Sequence, residues 1–180
     1  MPQRALEASD AVTARAKQPD AAFAARVSFR TGGDADVPAV VPMINEAYLR
    51  EAWLLPGPRM DEPRLCEELR DAGTTLIVAE IDGALAGCVR VRIREAYAHF
   101  GLLAVAKHAR GSGLASMLIA RAEQEALASG RDVMHLDCAK ELGLPPLYES
   151  LGYVAGGEEL GVRWGSVQPF TLVEMRKALR

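Results

Sequence analysis

The stretch LLAVAKHARGSGLASMLIARAEQEALASG, from Leu102 to Gly130, leaves the chain few ways to fold. An apolar run stops at Val105, and a basic turn with two glycines follows. Leu114, Leu118 and Ala122 then recur on one face of a helical pattern running from about Gly111 to Ser129. Gly130 stands where the residue after a helix C-cap belongs. A strand leading directly into a long amphipathic helix is an α/β signature. The RGSG turn between them has two readings. It is either a tight connector with an incidental arginine or an anion seat. A helix N-terminus presents unpaired N–H groups and partial positive charge. Glycines there let an anion reach the backbone with no Cβ in the way.

The flanking segments alternate in the same way. VSFRT (Val27 to Thr31) reads as a first strand. A helix follows, with Asp34 or Asp36 as N-cap and Val37, Val40, Val41, Ile44, Tyr48 and Leu49 at helical spacing. The proline-rich PGPRMDEP breaks it, and RLCEELRDAG is a short helix ending at Gly73. TTLIVAEIDGALAGCVRVRI is a hairpin turning on Asp82-Gly83. AYAHFGLLAV, RDVMHLDCA, YVAGGEEL and PFTLVEMRKAL are further strands, with a short helix at PPLYESLG. The order predicts a single α/β domain over residues 27–180, built on one mixed sheet. Residues 1–26, rich in Ala and small polar residues, are expected to form a mobile extension outside the core.

Composition excludes several classes. With 180 residues, 49% of them hydrophobic, the chain can bury a sizeable core. No apolar run approaches the ~18 residues of a membrane span, and the N-terminus has no apolar signal core. Cys66, Cys88 and Cys138 are odd in number and widely spaced, which argues for a reducing, cytoplasmic setting. A net charge of −3 gives no basic field for nucleic acid. His135 and Cys138 diverge on a strand, so no metal constellation is expected. Cys138, Met117 and Met134 read as core.

Two phosphate motifs are absent. No Gly-Lys pair exists, so there is no P-loop. Ser116 stands where a dinucleotide fingerprint needs its third glycine, and too few βα units are present. LAVAKHARGSGLASMLI instead resembles the coenzyme A signature of the GNAT N-acetyltransferases, with Lys107 replacing its usual proline. LYESLGY (Leu147 to Tyr153) is similar to the family's second signature. IVAEIDGALAGCVRV resembles its hairpin and FTLVEMRKAL its closing strand. The likeness spans about Phe29 to Leu179. It implies a GNAT-like, mostly antiparallel central sheet flanked by helices.

The resemblance also implies an activity: an acetyl group passes from acetyl-CoA directly to an amine of a small molecule or protein, with no covalent enzyme intermediate and no metal. Arg110, Gly111, Ser112, Gly113, Leu114 and Ala115 would bind the pyrophosphate. The backbone of Leu103, Ala104 and Val105 would pair with pantetheine, and an N–H near Val105 would polarise the thioester. Tyr148 matches the family's tyrosine that protonates the leaving thiolate. Its phenol, ordinarily near ~10, is close enough to a thiol for useful transfer. The competing reading of Tyr148 is a packed core tyrosine. Asp137 is the candidate base, with His99 and Glu51 behind it, or a water chain in place of any of them. Prolines 145 and 146 stand where relatives carry an asparagine, which removes one expected contact to the pantetheine arm.

The acceptor should sit between YLREAWLLPGPRMDE and EELGVRWGSVQP. Glu46, Glu51, Asp61, Glu158 and Glu159 make that side acidic, which favours a cationic amine. A homodimer stays open, as does a non-catalytic acyl-CoA-binding domain on the same fold. Neither nucleic acid nor membrane is an expected partner.

Overall fold

In the computed structural model, residues 15–161 and 168–180 are described. They form a seven-stranded sheet in the order β1-β2-β3-β4-β5-β7-β6. The strands are β1 Val27–Thr31, β2 Thr74–Ile81, β3 Ala84–Ile93, β4 Ala98–Val105, β5 Val133–Ala139, β6 Val154–Leu160 and β7 Thr171–Ala178. Only the β4–β5 neighbours are parallel. The helices are α1 Ala21–Ala24, α2 Val37–Tyr48, α3 Glu62–Leu69, α4 Leu114–Ala128 and α5 Pro145–Glu149. The mixed, mostly antiparallel sheet flanked by helices is the architecture expected from the sequence.

Two cores sit on opposite faces of the sheet. Leu114, Leu118, Ile119 and Ala122 of α4 bury against Ile77, Val89, Val91 and Phe100, joined by Tyr148 and Tyr153. Val37, Val40, Val41 and Ile44 of α2 bury against Leu76, Val78, Cys88, Leu102 and Ala104. The β2–β3 turn has Asp82 at φ 51 and Gly83 at φ 82, both left-handed, as a two-residue hairpin requires.

Some local assignments differ. Asp36 precedes α2 but makes no side-chain cap bond to it. Its carboxylate accepts from Gly33 N–H and pairs with Arg30 instead, which holds it below the usual carboxylate range. Leu49 falls beyond α2 in a 3-10 turn and is exposed. α3 stops at Leu69 rather than at Gly73, and α4 begins at Leu114, so the glycine turn precedes the helix. Residues 15–26 lie against the domain. Asp20 caps α1 by accepting from Phe23 N–H at 2.7 Å, and Phe23 packs on the α4-side core.

One buried ionic cluster ties α3 to the sheet. Glu68 accepts from Arg90 at 2.6 Å and pairs with Arg92 at 2.8 Å and Arg64 at 3.3 Å. Arg90 is only 7% exposed, and its Nε has no partner among the described residues. Gly101 makes room for it, since a Cβ there would lie 3.0 Å from an Arg90 terminal nitrogen.

Candidate active site

β4 and β5 pair only at Ala98↔Met134 and His99↔His135. Beyond these pairs β4 follows β3 to Val105, β5 follows β7 to Ala139, and a cleft opens between them. The cause is local. Leu102 sits at φ 50, and the β3–β4 register shifts between Cys88 and Arg90. A leucine in the left-handed region is strained, and an extra residue bends and twists its strand. The bulge also exchanges faces: Ala98 and Phe100 lie in the α4-side core, Leu102 and Ala104 in the α2-side core. The edge of β4 carrying Leu103, Ala104 and Val105 therefore faces the cleft without a strand partner among the described residues.

At the end of β4 the chain makes its glycine turn. Gly111 at φ 75 and Gly113 at φ 91 adopt the left-handed conformation that side chains disfavour, and Gly113 is the N-cap of α4. Ser112 Oγ donates to the Ala109 carbonyl at 2.6 Å and accepts from Leu114 N–H at 3.3 Å. The N–H groups of Gly113, Ala115 and Ser116 have no acceptor among the described residues. N–H groups at a helix start without an internal acceptor can take an anion. Arg110 folds back across it: its Nε donates to the Val105 carbonyl at 3.2 Å, and a terminal nitrogen lies 3.9 Å from Glu46.

Tyr148, on α5, is 8% exposed. Its ring meets Phe100 at 6.1 Å and Tyr153 at 6.2 Å between centroids. Its hydroxyl makes no hydrogen bond among the described residues. Burial pushes the phenol well above its ordinary value, and Tyr48, Cys138 and Glu51 push the same way. A dry site disfavours phenolate, which is the direction of this shift. The group stays protonated and keeps an O–H proton to donate. Tyr48 and Glu51 lie at the end of α2 and just beyond it, near enough to Tyr148 to act on its charge. Burial also raises Glu51 above the usual carboxylate range and pushes Tyr48 up to about 12.

Asp137 lies on the other face of β5 from Cys138, with its side chain 40% exposed while Cys138 is buried. Its carboxylate accepts from His99 Nε2 at 3.0 Å, at the apex of the cleft where the strands part. The structure therefore joins Asp137 to His99 and separates both from Tyr148 by the thickness of the sheet. Burial pushes the Cys88 and Cys138 thiols up to about 12, so neither offers a thiolate.

Beside Asp137 is an open recess lined by Gly157, Glu158, Glu159, Leu172 and Glu174. Glu158 and Glu159 were visible in the sequence as acids of this side. Glu174 was not, since it joins them only through the β5–β7 register. Three of the expected acids are engaged by other groups. Asp61 caps α3, Glu46 faces Arg110 and Glu158 pairs with Lys140 at 2.8 Å. Residues 162–167 of the expected acceptor loop lie outside the described residues. Among the described residues no cluster of three His, Cys, Asp or Glu could hold a metal, and no helix is long and apolar enough to cross a membrane.

A family profile described as acetyltransferase (GNAT) domain matches residues 52–178. No curated protein matches at the level of sequence. Among solved structures, YncA of Salmonella typhimurium, determined with its cofactor acetyl-CoA, is 22% identical with a TM-score of 0.69; the match covers 86% of this chain and 95% of that one. A ribosomal-protein-alanine N-acetyltransferase from Brucella melitensis is 23% identical, with a TM-score of 0.68 and coverages of 84% and 99%. Spermidine N-acetyltransferase from Vibrio cholerae, in complex with CoA and spermine, is 19% identical, with a TM-score of 0.67 and coverages of 86% and 96%.

Proposed function

This chain belongs to the GNAT acetyltransferase family, and from that premise we propose that it moves an acetyl group from acetyl-CoA onto the nitrogen of a cationic amine. The observation that carries the reading is the cleft itself. Past His99 the β4 edge has no strand partner, and it leads into a left-handed glycine turn with three N–H groups lacking an acceptor among the described residues. The turn fits a pyrophosphate in charge and in its lack of Cβ atoms.

Bound acetyl-CoA supplies an acyl group already activated as a thioester. The chain's residues do the rest. Gly111 to Ala115 seat the phosphates, with Arg110 adding charge. Leu103, Ala104 and Val105 offer backbone groups to the pantetheine arm. The acceptor arrives as an ammonium and must lose a proton before its nitrogen can attack. His99 is placed to take that proton, because Asp137 holds its Nε2–H and leaves Nδ1 free to accept. Asp137, in this reading, orients His99 instead of acting as the base. Tyr148 holds a proton to give to the departing sulfur.

The carboxylates around the recess beside Asp137 favour a cationic acceptor, and a neighbour that acts on spermidine fits the same chemistry. A thiol-release screen over polyamines, aminoglycosides, amino acids and N-terminal peptides tests the proposal. Polyamines or aminoglycosides should turn over fastest, and His99→Gln should lower kcat on the best of them by about 10²-fold. Acetyl-CoA binding with no thiol release on any amine would leave a non-catalytic acyl-CoA-binding domain.

A further inference from the structure

The groove is already crossed by a piece of the chain. Ala16 N–H donates to Ser150 Oγ, at the C-cap of α5, at 2.9 Å. The Lys17 carbonyl accepts from Ser116 Oγ, in the first turn of α4, at 2.8 Å. Lys17 Nζ donates to the Gly111 carbonyl. The space over Gly113 is filled, since a Cβ there would lie 2.6 Å from Pro19 N and 2.9 Å from Pro19 Cα. Residues 16–19 thus run from α5 to the first turn of α4. A cofactor laid from the glycine turn towards Tyr148 would have to share that path.

The two ends of this segment are held unequally. On its C-terminal side Asp20 caps α1 and Phe23 packs on the core. Across the groove the contacts are exposed hydrogen bonds, which contribute little each and open readily. The Lys17 carbonyl also occupies a helix start that otherwise attracts anions, by taking the Ser116 hydroxyl there.

We infer that residues 16–19 are a strap that lies across the cofactor groove and is displaced when acetyl-CoA binds. This rests on reading the α4 turn as the cofactor seat. The observed affinity is then the intrinsic affinity multiplied by the fraction of molecules with the strap open. Loosening the strap raises that fraction.

The test uses the full chain. Limited trypsin digestion reports the Lys17–Gln18 bond, and calorimetry on the same preparation reports acetyl-CoA binding. Saturating acetyl-CoA should speed cleavage of that bond several-fold. Lys17→Ala should bind acetyl-CoA about three- to tenfold more tightly. Cofactor binding with slower or unchanged cleavage, or an unchanged or weaker affinity in Lys17→Ala, overturns the strap and leaves the seat standing. Failure of both proteins to bind acetyl-CoA overturns the seat and the strap together.

Discussion

Two neighbouring buried tyrosines should respond to the same substitution in opposite ways. Tyr148 and Tyr153 meet edge to face at 6.2 Å. The Tyr153 hydroxyl donates to Glu123 at 2.8 Å, and Lys177 holds the same carboxylate at 2.9 Å. The Tyr148 hydroxyl has no partner among the described residues. Tyr148→Phe keeps both ring contacts and orphans nothing, so its stability change should stay within about 1 kcal/mol, or about 4 °C in Tm. If the hydroxyl serves only the transition state, kcat and kcat/KM should fall together by about 10²-fold, about 2.7 kcal/mol, with acetyl-CoA affinity unchanged. Tyr153→Phe leaves Glu123 with Lys177 alone, and should cost about 1–2 kcal/mol, lowering Tm by about 2–8 °C with turnover per folded molecule intact. Thermal melts, calorimetry and thiol release on matched preparations give all three numbers. Full turnover in folded Tyr148→Phe would remove Tyr148 as the acid. A large stability loss there would show that the hydroxyl has a structural partner.

Three further outcomes follow from the same geometry. Gly113→Val places a β-branched residue at φ 91 over the first turn of α4, excluding strap and cofactor alike; calorimetry should show at least a tenfold weaker acetyl-CoA affinity, and unchanged affinity in folded protein refutes the seat. Glu68→Ala strips three arginines of their shared partner, one of them 7% exposed, and should cost about 3–5 kcal/mol, or about 6–20 °C in Tm; an unchanged melt would show that the cluster contributes nothing. Glu51 has its carboxyl raised by burial, so the folded chain binds the extra proton: that stability is full below the ordinary glutamate value of about 4.3 and declines as pH rises through the raised value. Glu51→Gln should flatten this slope in melts against pH, and an identical slope in both proteins contradicts the assignment.

Much of the fold is local and therefore legible in the sequence. The Asp82-Gly83 turn, the α4 stripe of Leu114, Leu118 and Ala122, and Gly130 at its end each obey a short-range rule. The glycine turn is legible for the same reason. The cleft is not, because it depends on Leu102 at φ 50, and leucine carries no sequence signal for a left-handed backbone. Asp137 and His99 are each visible as candidates, but their pairing needs the β4–β5 register across 38 residues of sequence. The raised phenol of Tyr148 depends on everything packed around it, which no spacing supplies. The contacts of Ala16 to Ser150 and of Lys17 to Ser116 are not legible for a related reason: their partners lie about a hundred residues or more away.

Hydrogen exchange on the full chain, with and without saturating acetyl-CoA, asks the central question most directly. New amide protection is expected at residues 103–105 of β4 and residues 113–116 at the start of α4, with little change in the β2–β3 hairpin. Binding that protects some other surface and leaves both segments exchanging as before would contradict it.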